Sequence, residues 1–540
     1  MINIRPKWTS GSSRLIRLLS GCAISAACVL TPSAMSWAGK AESCDGLRTL
    51  SLADTTITAA ELVSGGTFQP ASGTPITRLP DFCRIAGTSS PTPTSKINFE
   101  VWLPVSGWNG KYQQVGNGGL AGSIQYAAMT PPLQQGYATS STDDGTAPSG
   151  QTDWLNDIEK VKDWGYRAVH ETAQNGRAIV EAFYNRPAQF AYFSGCSKGG
   201  HEAMMELQRF PEDFDGIVGG DPASDLTHLL AQQLWNPRAL LDDSGGLIPQ
   251  NKLTLLHNAV LSSCIGLDKG LSTDGFLNDP RDCHFDPAVL QCSGADTPDC
   301  LTAGQVAALN EIYQGPRNPR THEQIFPGMP RGGEAPPGNL LGGLVHGWQT
   351  YNGLQLLFPQ PVLGITVFHD PNWDWTTFDF DADMTKVDEM LAPILNATDP
   401  NIAPFKSHGG KLIIYSGWDD PFYSGYRHVN YYKAIARLFG ARATQQFARL
   451  FMVPGMGHCT DGPGPNTFDP VAALANWVEH GVAPAQIVAT KHQDNDTTKP
   501  VEMTRPLCPF PQIAVYDGTG STTDAGNFKC IVDKDLRAQN

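Results

Sequence analysis

The segment Phe190-Ala-Tyr-Phe-Ser-Gly-Cys-Ser-Lys-Gly-Gly-His-Glu-Ala-Met-Met-Glu-Leu-Gln-Arg-Phe210 changes character twice along its length. Its aromatic, β-favouring start (Phe190 to Phe193) reads as a strand, its small residues as a turn, and its Ala, Met, Glu, Leu and Gln as a helix. At the turn, Gly195-Cys196-Ser197-Lys198-Gly199 fits the G-x-S-x-G pattern of a nucleophile elbow. Glycines on both sides permit a tight reversal that lifts the Ser197 hydroxyl above the sheet edge and aims the next backbone N–H at the same point. Gly and Ser are common in loops, so the pentapeptide alone also suits an ordinary turn. The strand before it and the helix after it favour the nucleophile.

A nucleophilic serine needs a base to take its proton and an acidic group to hold that base in one tautomer. Downstream, the apolar runs Leu412 to Tyr415 and Leu450 to Val453 suit parallel strands buried on both faces. The first is followed by Asp419 and Asp420, the second by His458. The order Ser197, Asp, His458 is that of an α/β-hydrolase fold. Spacing does not decide between Asp419 and Asp420, and one of the two is expected to face solvent or cap a turn. Cys196 adjoins the serine and Cys459 adjoins the histidine. If the serine and histidine meet, their neighbouring sulfurs come within reach of a disulfide, the alternative being that Cys196 is a small buried hydrophobe.

Upstream, Cys44 to about Pro80 alternates apolar residues with Gly, Ser and Pro as antiparallel strands do, and Ile97 to Pro104 is a strand candidate. The following Trp108-to-Gly122 stretch is a glycine-rich loop, either plainly flexible or the place where a backbone N–H approaches an oxyanion. Further strands are expected within 136–145 and 214–222, with helices over 161–184, 431–439 and 470–481. His170, inside the first of these helices, reads as a packing residue. From about Ala223 to Asn401 the steady strand-and-helix alternation stops and Pro, Gly, Trp and Asp increase. The expected organisation is therefore a core in two parts, 39–223 and 402–540, with a lid domain over 224–401 inserted between them.

The chain has 540 residues and a formal charge of −15. Arg5, Lys7, Arg14 and Arg17 precede an apolar run from Leu18 to Leu30, and Ser36-Trp37-Ala38 offers small residues for cleavage. Residues 1–38 thus read as a secretory signal peptide, giving a secreted or periplasmic product. Leu19-Ser20-Gly21-Cys22 also fits a lipobox, but most of the apolar run follows Cys22. The signal carries four cations and no acid, so the remainder has a charge of −19, which argues against nucleic acid and anionic membranes as partners. No later stretch is apolar for long enough to span a membrane. Of twelve cysteines, ten lie beyond the signal. An even number in an exported chain predicts five disulfides, with Cys264/Cys283, Cys292/Cys300 and Cys508/Cys530 as local pairs. No zinc-ligand spacing accompanies them.

The elbow Gly195-Cys196-Ser197-Lys198-Gly199-Gly200, the run Gly455-Met-Gly-His-Cys459 and the loop from Trp108-Asn109-Gly110 to Gly122 together resemble the tannase and feruloyl esterase family. That family comprises secreted α/β-hydrolases with a lid and includes the terephthalate-monoester hydrolase MHETase. The resemblance covers nearly the whole mature chain, and the paired Cys-Ser and His-Cys elements are its most specific part. It implies Ser197 as nucleophile, His458 as base, Asp420 as the group orienting it, and backbone N–H groups of Gly119 and Lys198 as oxyanion donors. It further implies the pairs Cys44–Cys83, Cys196–Cys459, Cys264–Cys283, Cys292–Cys300 and Cys508–Cys530. A structural calcium in the lid is also implied, with Asp268, Asp274 and Phe276 in the corresponding loop, since carboxylates and carbonyls suit a hard cation. Here, however, Ile265 stands where the family often has an aspartate, and the Asp268–Asp274 spacing is two residues longer. An acidic solvated turn is the alternative. No organic cofactor is expected.

The activity implied is hydrolysis of small esters of aromatic acids such as ferulate, caffeate or gallate, with Trp348, Tyr351, Phe358, Phe368, Trp373 and Trp375 available for stacking. A terephthalate monoester is the alternative within the class. Its free carboxylate needs a cation, and Gly347 to Asp379 contains no Lys or Arg. From another class, a catalytically dead protein that sequesters polyphenols is the rival, against which the complete set of Ser, Asp, His and oxyanion glycines argues. The sequence does not fix an oligomeric state.

Overall fold

The computed structural model describes residues 43–241, 245–335 and 354–532. The expected signal peptide, Trp348 and Tyr351 therefore lie outside the described residues. The chain builds a nine-stranded sheet from β1 (Thr55–Val63), β2 (Phe82–Ser89), β3 (Ile97–Pro104), β4 (Lys111–Val115), β5 (Ala138–Thr142), β6 (Phe190–Cys196), β7 (Gly216–Gly220), β8 (Lys411–Gly417) and β9 (Ala448–Val453), in the spatial order β1-β2-β3-β5-β4-β6-β7-β8-β9. The first three strands and β5 pair antiparallel, and from β5 onward every pair is parallel. Parallel strands require crossovers. Here these include helix α1 (Ala168–Tyr184) between β5 and β6, and α2 (Lys198–Arg209) between β6 and β7.

β4 lies within the stretch expected to be a loop. Its sequence, Lys-Tyr-Gln-Gln-Val, places two glutamines where a central strand normally carries apolar residues. The buried Gln114 amide donates to the Val169 carbonyl of α1 at 3.0 Å, and Tyr112 shares a 2.6 Å hydrogen bond with Ser140 of β5. These partners satisfy the polar groups that burial would otherwise penalise.

Between β7 and β8 the chain forms helices α3 (Leu226–Leu241), α4 (Gln250–Cys264), α5 (Ala303–Gln314) and α6 (Ala382–Leu395) and, among the described residues, no strand of the main sheet. One apolar cluster within this segment gathers Leu253, Leu256, Val260, Leu301, Leu309 and Ile312. A second joins Leu226, Leu230, Val362 and Leu391 to Trp154, Trp164, Phe422 and Tyr423, which lie outside it. The segment is thus packed directly against the carboxyl ends of the sheet strands. After β8 come α7 (Gly425–Phe439) and, beyond β9, α8 (Pro470–His480). Two hairpins close the chain, β10 (Ile487–His492) with β11 (Val501–Leu507), and β12 (Gln512–Tyr516) with β13 (Phe528–Val532).

Five disulfides join Cys44–Cys83, Cys196–Cys459, Cys264–Cys283, Cys292–Cys300 and Cys508–Cys530. No helix among the described residues is long and apolar enough to cross a membrane.

A close backbone approach lies where α2 crosses β7. A Cβ placed on Gly200 would stand 2.2 Å from the Gly220 carbonyl oxygen, well inside contact distance. Gly200→Ala is therefore expected to destabilise the fold by about 1–3 kcal/mol through overpacking, read as a lower midpoint in chemical denaturation. An unchanged midpoint would show that the two segments can separate freely.

Candidate active site

The turn after β6 has the conformation that the sequence demanded. Ser197 has φ 64° and ψ −117°, a strained region for a residue with a side chain. Its backbone is tied down on one side, with Ser197 N–H donating to the Gly220 carbonyl at 2.9 Å. On the other side Gly199 N–H donates to the Asn117 carbonyl at 2.8 Å, which fastens the elbow to the glycine loop after β4. Gly119 of that loop has φ 60° and lines a cavity together with Ser197 and Lys198.

His458 follows β9 and is buried. Its Nδ1 is 2.7 Å from Asp420 Oδ2, while Asp420 Oδ1 accepts from the backbone N–H groups of Phe422 (2.8 Å) and Tyr423 (3.1 Å). The carboxylate is thereby locked to one face of the imidazole. Burial works to lower the His458 pKa, but the charges of Asp420 and Asp221 outweigh it and leave the imidazole above its ordinary value. One of the two aspartates was expected to face solvent or cap a turn, and Asp419 does not face solvent. It is only 1% exposed and lies behind the loop, facing His257 and Glu334, and burial, reinforced by the Glu334 charge, pushes it up to about 7. His170 keeps the packing role read from the sequence, bonded to Asp213 at 2.6 Å and stacked on Phe210 at 3.8 Å.

Three residues without a local sequence signal complete the site. Tyr423 places its hydroxyl 3.2 Å from Ser197 Oγ and its ring edge-on to His458, with centroids 4.7 Å apart, so in this conformation the serine hydroxyl is held by the phenol. Burial raises the Tyr423 pKa and keeps the phenol protonated. Asp221, at the end of β7, accepts from Gly417 N–H (3.0 Å) and from Cys459 N–H (2.8 Å) beside the Cys196–Cys459 bridge. Burial, then the Asp420 charge, push Asp221 up to about 7, against the pull of His458. Glu202 of α2 receives the Asn117 N–H at 3.0 Å and the Lys198 ammonium at 2.7 Å. The same ammonium lies 2.9 Å from Asp144. Burial would lower Lys198, but its two carboxylate neighbours overcome this, and burial with the Glu202 charge holds Asp144 well above the carboxylate range. A buried ion network thus supports the elbow and the glycine loop from below.

The cavity over Ser197 has a volume of only about 30 Å³, with Phe358 standing 3.5 Å from a Cβ position on Gly119. Of the aromatic residues expected to stack on substrate, Phe358 reaches this cavity. Phe368 and Trp373 stack on one another at 4.5 Å, Trp373 within the core, while Trp375 lines a separate groove of about 990 Å³ with Trp235 and Arg238. That larger groove contains neither the nucleophile nor the base, so volume does not mark the reacting centre.

A strained serine, a buried Asp–His pair and a glycine loop in this topology are the parts of a hydrolase, and the comparisons agree. A model of the tannase and feruloyl esterase family matches residues 83–531. The chain belongs to this family. It is 39% identical over 531 residues to an uncharacterized esterase of Xanthomonas campestris pv. campestris, covering 92% of each chain. It is 33% identical over 525 residues to the mono(2-hydroxyethyl) terephthalate hydrolase of Piscinibacter sakaiensis, covering 84% of this chain and 85% of that one. The crystal structure of feruloyl esterase B from Aspergillus oryzae superposes with a TM-score of 0.82 at 28% identity, covering 90% of this chain and 99% of that one. The protein is accordingly an ester hydrolase with an α/β-hydrolase fold.

The loop expected to hold calcium has a donor set that does not fit the ion. The Asp268 carboxylate accepts from the N–H groups of Gly270 (2.9 Å), Gly266 (3.2 Å), Asp279 (3.3 Å) and Asn278. Asp274 Oδ1 is 2.8 Å from the Arg505 guanidinium of β11. Phe276 is buried with its ring against Gly455, in the loop that carries His458. A fixed organic cation already neutralises Asp274. Thermal unfolding is therefore expected to be the same in EGTA and in added calcium. Arg505→Met is expected to cost about 3–5 kcal/mol by leaving the carboxylate buried and unpaired. A melting temperature that falls in EGTA would show that the loop binds calcium after all.

Proposed function

We propose that the chain is a secreted or periplasmic hydrolase of carboxylic esters whose acyl group is an aromatic acid of the hydroxycinnamic or gallic type. The observation that carries the reading is the buried Asp420–His458 hydrogen bond, joined through the Cys196–Cys459 bridge and Tyr423 to the Ser197 elbow, which itself lines a cavity walled by Ala223, Leu226, Leu229, Leu230 and Val362. Five disulfides support an oxidising compartment.

In the reaction, Ser197 Oγ leaves Tyr423 and turns to the free Nε2 of His458, which takes its proton as the oxygen attacks the ester carbonyl. Asp420 holds Nδ1 and stabilises the imidazolium. The developing oxyanion is received by backbone N–H groups of Gly119 and Lys198, whose positions are fixed by the contact between glycine loop and elbow. Each such donor is typically worth about 100- to 1000-fold in rate. His458 then returns the proton to the leaving alcohol, and water, activated by the same base, releases the acid from the acyl-enzyme.

The present cavity admits a water molecule but not an aromatic ring. The segment over 224–401 therefore acts as a lid, and Phe358 withdraws as substrate enters. Lys198 is the only cation among the described lining residues and is already paired with Asp144 and Glu202, which favours an uncharged acyl group over a terephthalate monoester.

Methyl ferulate, methyl gallate, chlorogenate and a terephthalate monoester, each assayed with wild type and Ser197→Ala, test the reaction and its range together. The variant is expected to lose about four orders of magnitude or more in kcat. Equal turnover by the two proteins would end the hydrolase reading at this serine.

The base works as neutral imidazole, so activity falls as pH drops through the titration that His458 shares with Asp221. An anionic Asp221 favours the imidazolium. Removing that charge in Asp221→Asn is expected to move the acid limb of kcat/KM to lower pH, and a limb that stays in place or moves up would count against the assignment.

A further inference from the structure

Two polar groups on the wall of the Ser197 cavity take no part in the proton transfers above. Trp164 lies in the π-helical turn Asp163–Arg167 that leads into α1, and such turns concentrate at functional sites. Gln233 lies on α3. Leu226, Leu230 and Gln233 recur there at helical spacing, so the amide stands on the same stripe as the two leucines of the wall. Both residues line the cavity with Ser197 and Gly119, and both are nearly inaccessible, Trp164 at 3% and Gln233 at 1%. Among the described residues, Trp164 Nε1 and Gln233 Nε2 have no hydrogen-bond partner.

A buried N–H without an acceptor is costly, and folded proteins leave few of them. Here two occur on one cavity whose wall is otherwise apolar apart from Ser197, the Tyr423 hydroxyl that touches it and the paired Lys198. The faces of the Trp164 ring are already occupied. The Lys198 ammonium lies 5.4 Å from its centroid, and Trp154 packs at 5.4 Å. What the indole still offers is its N–H edge. The Gln233 amide offers two donors and, in its oxygen, an acceptor. An apolar slot with neutral donors fits a flat ring that carries oxygen substituents. It fits a free carboxylate poorly, since that would bring a negative charge into a cavity whose ammonium is already engaged.

We propose that Trp164 and Gln233 determine specificity by donating hydrogen bonds to phenolic or methoxy oxygens on the aromatic ring of the acyl group. The assignment rests on the reading of Ser197 as nucleophile toward aromatic esters. It extends that reading by naming which feature of the acid is recognised and by which atoms. The ring occupies the space that Phe358 now fills beside Gly119. The donors then gain the acceptors they lack, while an unsubstituted ring leaves them unpaired. Discrimination of this kind is large because the penalty falls on the substrate that lacks the oxygen.

The test compares methyl cinnamate, which has no ring oxygen, with methyl 3,4-dimethoxycinnamate, which offers acceptors only, and methyl ferulate. Wild type is expected to prefer the oxygenated esters over cinnamate by about tenfold or more in kcat/KM. Gln233→Leu and Trp164→Phe are each expected to reduce that preference about five- to tenfold. A preference that survives both substitutions, or that wild type lacks, overturns the proposal. If Trp164→Phe does not fold, Gln233→Leu decides alone. Calorimetric binding of methyl ferulate and methyl cinnamate to Ser197→Ala, with and without Gln233→Leu, gives a second readout independent of turnover. Tighter binding of methyl ferulate that depends on Gln233 supports the assignment even if wild type hydrolyses none of the esters, in which case only the reaction reading falls. Equal binding of the two esters overturns the assignment.

Discussion

The site depends on how closely three pieces of backbone approach beneath Ser197. The end of β6, the start of α2 and the loop after β4 meet at distances that leave no room for side chains. A Cβ on Gly116 would stand 2.7 Å from Gly199 Cα, and one on Gly195 would stand 2.6 Å from the same atom. That packing lets Gly199 N–H reach the Asn117 carbonyl, so the strained serine and the loop that faces its substrate move as one body. Strain at Ser197 persists because its surroundings over-determine it. The Cys196–Cys459 bridge extends the same body to the histidine loop, across 263 residues of sequence.

Electrostatics divide the site into two buried groups with different tasks. Lys198, Asp144 and Glu202 form a network beneath the elbow in which an ammonium faces two carboxylates, and the elevated Asp144 relieves the excess negative charge. The network is tied to the glycine loop through both the backbone and the side chain of Asn117. Asp420, Asp221 and His458 form the second group, where two carboxylates raise one imidazole. Only Asp420 bonds to the ring. Asp221 acts through its charge and through the Cys459 and Gly417 N–H groups that it receives.

What was legible in the sequence was what is local. The elbow, the glycine loop and a histidine after the last parallel strand each declare themselves within a few residues, and their order along the chain gives the fold. β4 was not legible, because Gln113 and Gln114 look like loop residues until the carbonyl of Val169, more than fifty positions away, is placed beside them. The burial of Asp419 was hidden for the same reason, since His257 and Glu334 come from the segment between β7 and β8. The family resemblance implied a cation in the acidic loop at Asp268 to Asp279, but the guanidinium that pairs with Asp274 comes from Arg505, over two hundred residues downstream. Partners supplied from a distance decide whether a polar residue is core, ligand or catalyst, and residue type alone cannot.

The same reasoning explains why Tyr423 matters to the resting state. It directly follows Phe422, and its own N–H bonds to Asp420, so its ring position is set by the carboxylate that orients His458. In the closed cavity its hydroxyl occupies the hydrogen-bonding capacity of Ser197. Either hydroxyl can donate in this contact, so the phenol engages either the proton or a lone pair of the serine oxygen. Opening the cavity to admit an aromatic ring disturbs the cluster that contains both Tyr423 and the Leu226–Leu230 face of α3. The side chains that wall the cavity and the phenol that touches Ser197 thus belong to one packed set, so the position of the hydroxyl beside the serine depends on how that set is packed.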